Sequence, residues 1–193
     1  RIMASLFGLR YENIERFLES YAKYIIRQGQ SILAKNSATG RLSDSLDFTI
    51  FKTDEGYEIR FTAAAYGDFR DKGVSGNISK RYYYSIDGRR KSSPYRYVNK
   101  QPPVSRLVDW LSVKGIQGRY KKGDKKKRGG RFMKKESLAY LIARSIKSKG
   151  IKALSFYSQP ISYSFGRFKT ELSQNFAKDI EADIENKFSI KIW

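Results

Sequence analysis

Apolar residues recur at three- and four-residue steps in three stretches of the chain, which is the pattern of a helix with one buried face. The stretches cover residues 11–33, 136–149 and 168–188. A shorter apolar run predicts a fourth helix over residues 104–114. Gly150 suits a left-handed cap on the second long helix, and Pro160 is expected to break the apolar segment that precedes the last one.

Strict alternation of apolar and polar residues marks two neighbouring segments instead. Residues 48–52 and 57–63 each place apolar side chains at every second position, which predicts strands with one buried face. The short polar link between them ends in Gly56 and favours a hairpin. Residues 189–193 alternate as well and predict a last strand on the same sheet.

The order of these elements predicts an α+β fold. We expect a small antiparallel sheet with the N-terminal helix and the C-terminal helices packed on it. A chain of 193 residues suits one domain, so residues 1–193 are assigned to a single α+β domain with residues 77–131 as a basic, loop-rich insertion. Within that insertion, residues 77–103 show no sustained period and predict a long loop, a kind of segment that is usually functional.

Charge separates the middle of the chain from its two flanks. The net charge is +20, and residues 77–150 contain 22 Lys and Arg against 4 Asp and Glu. The flanking residues 1–76 and 151–193 each have a net charge of +1. Such asymmetry indicates that the middle third faces a polyanion or an acidic protein surface.

Composition excludes several kinds of chemistry. The sequence contains no cysteine and no histidine, which excludes disulfides, Cys/His zinc sites and a histidine base. Metal sites made only of carboxylates remain open. Because the sequence also lacks a spaced carboxylate motif, we expect no cofactor, no metal site and no enzyme activity. No apolar run approaches about 18 residues, so neither a membrane span nor a membrane partner is expected.

Two segments rich in acidic or hydroxyl groups are weaker candidates for a site. Carboxylates could form a nuclease metal cluster, but nothing in their spacing requires one, and Asp71 could pair instead with Arg70 or Lys72. The segment 39–46 lacks the Gly-Lys-Ser/Thr of a phosphate-binding loop. A helix-to-strand turn, with Ser and Thr satisfying local backbone groups, is favoured there. The carboxylates concerned are Glu55, Glu58, Asp68 and Asp71.

A basic, glycine-rich loop at residues 118–131 is the first candidate site. A solvated charge run, contact with DNA and contact with an acidic subunit remain open, and contact is favoured because glycine spacing lets a basic segment follow a phosphate backbone. The residues assigned to polyanion or partner contact are Lys121, Lys122, Lys125, Lys126, Lys127, Arg128 and Arg131.

Tyrosines dominate the second candidate site, in the long predicted loop. Base stacking, contacts between subunits and a small private core are all consistent with the pattern. Subunit contact is favoured, since Tyr and Arg are enriched at the energetic centres of protein interfaces. The residues assigned to it are Tyr82, Tyr83, Tyr84, Tyr95, Arg96 and Tyr97.

Several short motifs follow one another along the chain. After the first helix they consist of Thr39, Gly40, Leu42, Ser45 and Leu46, then Tyr66, Gly67, Phe69, Asp71 and Gly73. Later come Val108-Asp109-Trp110-Leu111 with Lys114-Gly115-Ile116, and Leu138-Ala139 to Ile146 with Lys149-Gly150-Ile151. Taken in this order, the motifs resemble the tail-completion or neck proteins of tailed bacteriophages, which join head to tail. The resemblance covers roughly residues 10–76 and 104–160.

The resemblance implies a structural virion protein without enzyme activity, located in the neck or tail and assembled in the host cytoplasm. It implies a homo-oligomeric ring that contacts portal or connector proteins and tail-tube proteins, with DNA in the channel as a further candidate partner. The insertion is longer and more basic than the family pattern needs. The alternative hypothesis is a stand-alone nucleic-acid-binding protein that uses a flexible basic loop.

Overall fold

The computed structural model describes residues 11–36, 40–53, 56–121 and 130–187. Over these ranges the predicted α+β class is confirmed, with the β-structure divided into three two-stranded antiparallel sheets instead of one. The elements are α1 (Glu12–Ala34), α2 (Arg41–Asp44), β1 (Asp47–Thr53), β2 (Gly56–Thr62), α3 (Gly67–Lys72), β3 (Val74–Ser75), β4 (Tyr82–Tyr84), β5 (Arg90–Ser92), α4 (Val104–Val113), α5 (Lys135–Lys149), β6 (Gly150–Ile151) and α6 (Ser158–Lys187).

Helices α1 and α6 form an antiparallel pair. Near the start of α1, Asn13 contacts Asp179, and two to three turns later the Tyr21 hydroxyl lies 2.9 Å from the Ser164 hydroxyl. The Tyr21 ring also packs on Phe168, with 4.5 Å between ring centroids. The buried stripe of α1 has the helical spacing that the sequence predicts. It consists of Ile14, Leu18, Ala22, Ile25, Gly29 and Leu33.

The predicted hairpin is confirmed as β1 paired with β2. Phe48 lies opposite Phe61, and Ile50 lies opposite Ile59. These side chains are half-buried and alternate with exposed ones, because successive residues of a strand face opposite sides. The hairpin packs on α1, where the Tyr57 hydroxyl donates to Glu15 Oε1 at 2.7 Å.

A buried apolar cluster joins the first third of the chain to the segment before α6. Phe156 is at its centre, together with Leu33, Leu42 and Leu46. Gly67 fits against this cluster, since a Cβ added there would lie 3.3 Å from Leu42 Cδ1 and 3.7 Å from the Phe156 ring. The core is therefore built from the residues on both sides of the insertion.

Strands β3 and β6 pair antiparallel at the base of the insertion, and we call this place the β3–β6 crossing. Val74 pairs with Ile151 and Ser75 with Gly150. The two backbones approach so closely that a Cβ on Gly76 would lie 2.0 Å from the Ser148 carbonyl oxygen. Gly150 ends α5 with φ +76°, as the prediction of a glycine cap requires, but its ψ of −175° is extended, so the cap is not the left-handed one that the sequence predicts. The two ends of residues 77–149 therefore lie next to each other at this pairing.

Part of the insertion is regular, which corrects the prediction of a loop over residues 77–103. Strands β4 and β5 form a hairpin, closed by the Ser85 N–H donating to the Arg89 carbonyl at 2.9 Å. Gly88 lies in this turn with φ +77°. A second, helical hairpin follows, in which Leu111 of α4 and Ala139 and Ala143 of α5 are fully buried.

Helix α6 begins at Ser158, ten residues before the predicted start at 168. The prediction that Pro160 breaks this segment is wrong, since Pro160 lies in the first turn of the helix. The first turn of a helix tolerates proline, since its N–H groups have no intrahelical acceptor. The strand predicted over residues 189–193 lies outside the described residues. Among the helices described, none is long and apolar enough to cross a bilayer.

Candidate assembly and polyanion-binding surface

The motif residues around Leu42 and Gly67 meet in the core. Ser45 Oγ accepts the Ala64 N–H at 3.0 Å and donates to the Leu42 carbonyl at 2.8 Å. This hydroxyl therefore satisfies backbone groups on both sides of the β1–β2 hairpin, which confirms the turn predicted before β1 for the described residues 40–46. Thr39 lies outside the described residues.

Asp71 caps the start of α6 from another part of the chain. Its Oδ1 accepts the Tyr157 N–H at 2.9 Å, and its Oδ2 accepts the Ser158 hydroxyl at 3.1 Å. The predicted pairing of Asp71 with Arg70 or Lys72 is wrong: Lys72 pairs with Asp68 at 2.8 Å, and Arg70 donates to the Asn36 carbonyl. The helix N-terminus is the better partner because it offers several unpaired N–H groups and a positive dipole end to a buried anion.

Burial raises the pKa of the Asp71 carboxyl, and the hydrogen bonds from Tyr157 and Ser158 oppose the rise without cancelling it. A folded pKa above the unfolded one means that ionisation of Asp71 disfavours the folded state. Its contribution to stability is therefore largest below the ordinary pKa of about 4 and declines as pH rises through the folded pKa.

The other carboxylates considered for metal binding do not gather around Asp71. Asp68 pairs with Lys72, and Glu58 pairs with Arg60 at 3.0 Å. Glu55 lies outside the described residues. Across the ranges that the structure describes, no group of three or more acidic side chains is placed to hold a metal ion.

The later half of the predicted tyrosine interface is attached to the body of the domain. The Tyr95 ring packs on Phe69, with 4.4 Å between centroids, and its hydroxyl donates to Asp68. The Tyr97 N–H donates to the Ser75 carbonyl at 2.8 Å, and Arg96 donates to the Asn77 carbonyl at 3.3 Å. Tyr95 and Tyr97 therefore hold this segment to α3 and β3, whereas the Arg96 side chain bonds within the insertion.

The earlier half lies on β4, with two of its rings facing solvent. Tyr82 and Tyr84 are 43% and 44% exposed, while Tyr83 faces the body and is half-buried. The Arg90 guanidinium lies 4.3 Å from the centroid of the Tyr82 ring. The β4–β5 hairpin thus has an outer face with Tyr82, Tyr84 and Arg90, which the sequence alone did not place together.

The basic loop begins and ends on a short antiparallel ribbon. The Tyr120 N–H donates to the Arg131 carbonyl at 3.0 Å, and the Met133 N–H donates to the Gly118 carbonyl at 2.8 Å. Lys121 and Arg131, at the two ends of the loop, are exposed. The remaining predicted contact residues, Lys122, Lys125, Lys126, Lys127 and Arg128, lie outside the described residues.

Cross-strand pairing in this ribbon adds two residues that the sequence pattern did not identify. The Arg119 guanidinium lies 4.1 Å from the centroid of the Phe132 ring, which is 58% exposed. They are thirteen positions apart, and no local pattern pairs them. An exposed aromatic ring next to a cation suits contact with a partner surface.

The α4–α5 hairpin carries large apolar side chains on its outer surface. Trp110 and Val113 lie one helical turn apart on α4 and are 38% and 63% exposed. Tyr140 and Leu141 are half exposed on α5. We call these four residues the arm stripe. Exposed apolar groups of this size are typical of surfaces that become buried in an assembly.

No protein-family model, curated protein or solved structure matches this chain. The functional assignment therefore depends on the geometry above and on the motifs in the sequence.

Proposed function

We propose that this chain is a structural virion protein that forms a ring at the head–tail junction of a tailed bacteriophage. In this role it joins head to tail and surrounds the DNA channel. The observation that carries the proposal is that the motif residues have structural roles in one core. Leu42 packs next to Gly67, and Asp71 caps α6. Gly73 directly precedes β3, which pairs with β6. Motif residues with such structural roles are the ones that chains of one fold are expected to share.

The arm stripe supports assembly with further copies. A closed ring requires each subunit to present two different, complementary surfaces, and large exposed apolar side chains supply favourable burial at one of them. The other proposed partners are portal or connector proteins and tail-tube proteins, with assembly in the host cytoplasm.

A structural role without catalysis is part of the proposal. Its support is that two buried carboxylates already serve the fold: Asp71 caps α6, and Asp179 accepts hydrogen bonds from the first turn of α1.

Replacing Trp110 and Tyr140 together with serine is expected to weaken self-association at least tenfold, because each large anchor at an interface contributes roughly 1–2 kcal/mol or more. Light scattering coupled to size exclusion at micromolar concentration measures the mass of wild type and variant. Tyr163→Ser is the matched control, since Tyr163 is an exposed aromatic on α6, and it should leave the mass unchanged.

The ring proposal fails under one clear result. A wild-type protein that stays monomeric, alone and with purified portals or tail tubes, and that is missing from purified virions, would overturn it.

A stand-alone nucleic-acid-binding protein is the second candidate. The observation that favours it is the concentration of charge, with 22 Lys and Arg against 4 acidic residues in positions 77–150, together with a basic loop that starts from an exposed ribbon. Such a protein would bind the phosphate backbone with strong salt dependence and little sequence preference.

Replacing six basic loop residues with serine separates the two candidates. We expect the fold to survive, since the buried residues of the described part all lie outside the loop. A ring protein should then lose head–tail joining, measured as the yield of infectious particles, while a stand-alone binder should lose DNA affinity and leave particle yield unchanged. The residues replaced are Lys121, Lys122, Lys125, Lys126, Lys127 and Arg128.

A further inference from the structure

Two basic segments that are distant in the sequence are joined next to the β3–β6 pairing. Residues 77–103 contain seven Lys and Arg and one acidic residue, Asp87, and residues 144–153 contain four Lys and Arg and no acidic residue. All of these residues are described. Neither segment belongs to the basic loop at residues 118–131, which joins α4 to α5.

Hydrogen bonds hold the two segments together. The Arg81 Nε donates to the Lys149 carbonyl at 2.7 Å, and the Lys147 Nζ donates to the Asn99 carbonyl at 2.8 Å. The Asn77 N–H donates to the Lys147 carbonyl at 2.9 Å. The end of α5 is therefore fixed against the start of the β4–β5 hairpin. We call the basic residues at the β4–β5 hairpin and at the end of α5 the basic face; they are Lys80, Arg81, Arg89, Arg90, Lys91, Lys147 and Lys149.

The positive charge of the basic face is largely uncompensated. Asp87 lies 3.8 Å from Arg89 and 3.5 Å from Lys91, and exposed ion pairs of this kind contribute little. One carboxylate is set against seven cations. Among the described residues, the Arg90 side chain has no acidic partner.

Arg90 is held in place by tyrosine instead. It lies directly across the hairpin from Tyr84 and 4.3 Å from the centroid of the Tyr82 ring. A ring against the face of a guanidinium restricts its rotamers, while the N–H donors at the planar edge stay available for an oxyanion. Tyr82 thus acts as a positioning residue for Arg90.

We propose that the basic face binds the phosphate backbone of duplex DNA without reading its sequence. Successive residues of a strand point to opposite sides, so Arg90 faces the Tyr82 side of the β4–β5 hairpin and Lys91 faces the Tyr83 side. Both sides of this two-stranded ribbon therefore carry a cation that can contact a polymer with evenly spaced phosphates. Base stacking on Tyr82 is disfavoured because the Arg90 guanidinium already covers that ring. The inference deepens the nucleic-acid-binding candidate by assigning DNA contact to a surface other than the basic loop, and it does not depend on ring formation.

The test measures binding of a short fluorescein-labelled duplex to the purified full chain by anisotropy, between about 50 and 200 mM salt. The variant Arg89→Gln/Arg90→Gln/Lys91→Gln is expected to bind about tenfold more weakly. Its log–log salt slope should fall by about 2 to 3, since each phosphate that is no longer neutralised removes roughly 0.9 from the slope. The control, Arg16→Gln/Lys23→Gln/Arg27→Gln, removes the same charge from exposed positions on α1 and should change affinity less than twofold.

A second pair of variants tests the positioning role of Tyr82. Tyr82→Phe retains the ring and should bind like wild type, whereas Tyr82→Ser should weaken binding several-fold with an unchanged thermal midpoint. Tyr82→Ser binding like wild type would overturn this role.

Several outcomes would overturn the proposal as a whole. These are an unchanged affinity of the hairpin variant, an equal loss in the α1 control, tighter binding to a single strand of the same length, or binding to an acidic protein with none to DNA. Because the hairpin variant keeps the arm stripe, its oligomeric mass reports on the ring proposal separately.

Discussion

Gly76→Ala is expected to lower the free energy of unfolding by about 3 kcal/mol or more, one of the largest effects of adding a single methyl group to this chain. The added Cβ would lie 2.0 Å from the Ser148 carbonyl oxygen and 2.7 Å from the Gly150 nitrogen. Both are backbone atoms, so no side chain can move aside. The β3–β6 pairing would have to separate, and with it the hydrogen bonds from Asn77 and Ile78 to the end of α5.

Urea unfolding followed by circular dichroism measures this loss. Gly166→Ala is the matched control, since a Cβ there, in the middle of α6, meets nothing within 4 Å. It should stabilise the protein by up to about 1 kcal/mol through helix propensity. A Gly76→Ala variant as stable as wild type would show that the two backbones do not cross as closely as described.

The second large effect is expected from Asp179→Ala, at about 3 kcal/mol of lost stability. Asp179 is 2% exposed, and its carboxylate accepts hydrogen bonds from the N–H groups of Asn13 and Ile14 and from the Asn13 side chain, at 2.8 to 3.0 Å. Tyr11, at the N-cap of α1, makes no side-chain cap, so Asp179 performs that role from α6. Its removal leaves buried donors without an acceptor.

Hydrogen exchange identifies the cause of this loss. The amides of Asn13 and Ile14 should lose protection first in Asp179→Ala, and Asp179→Asn should restore part of the stability, because an amide oxygen still accepts. Glu181→Ala, at an exposed position of the same helix, should be near neutral. If Asp179→Ala lowered stability without changing exchange in the first turn of α1, the capping role would be wrong.

Periodic segments were predictable from the sequence because one side of each faces the core. The helix predicted over residues 11–33 is α1, the hairpin predicted from 48 to 63 is β1 and β2, and the helix predicted from 136 to 149 is α5. In each segment the apolar spacing is sustained over several turns or alternations. Local preference and tertiary packing agree there, so the pattern suffices.

The β4–β5 hairpin was missed because its strands do not alternate. Tyr82, Tyr83 and Tyr84 of β4 are all aromatic, and Arg90, Lys91 and Ser92 of β5 are all polar, so neither strand shows a period of two. The signal that could have found it is Asp87-Gly88, a dipeptide favoured in tight hairpin turns. Strand pairing here follows from the turn more than from an apolar face.

The basic face and the Arg119–Phe132 pair could not be predicted from local sequence patterns, for a different reason. Both depend on which segments meet in space, and the meeting of β3 with β6 requires close backbone approach at Gly76 and Gly150. Glycine permits such an approach, but a glycine in the sequence does not identify its partner. The distribution of charge along the sequence identified the basic third of the chain, but it did not predict which basic residues lie close together in space.

The close pairing of β3 with β6 also determines how freely residues 77–149 can change in length. Since Gly76 and Gly150 are in backbone contact, the ends of residues 77–149 are fixed by the core whatever lies between them. For a flexible loop, each doubling of length between fixed ends costs only about 0.6 kcal/mol in closure entropy. Shortening or extending the α4–α5 hairpin, which follows the contact of Tyr97 with Ser75 along the chain, should therefore change its reach while the core keeps its register. Reach and stability are separable properties of this chain.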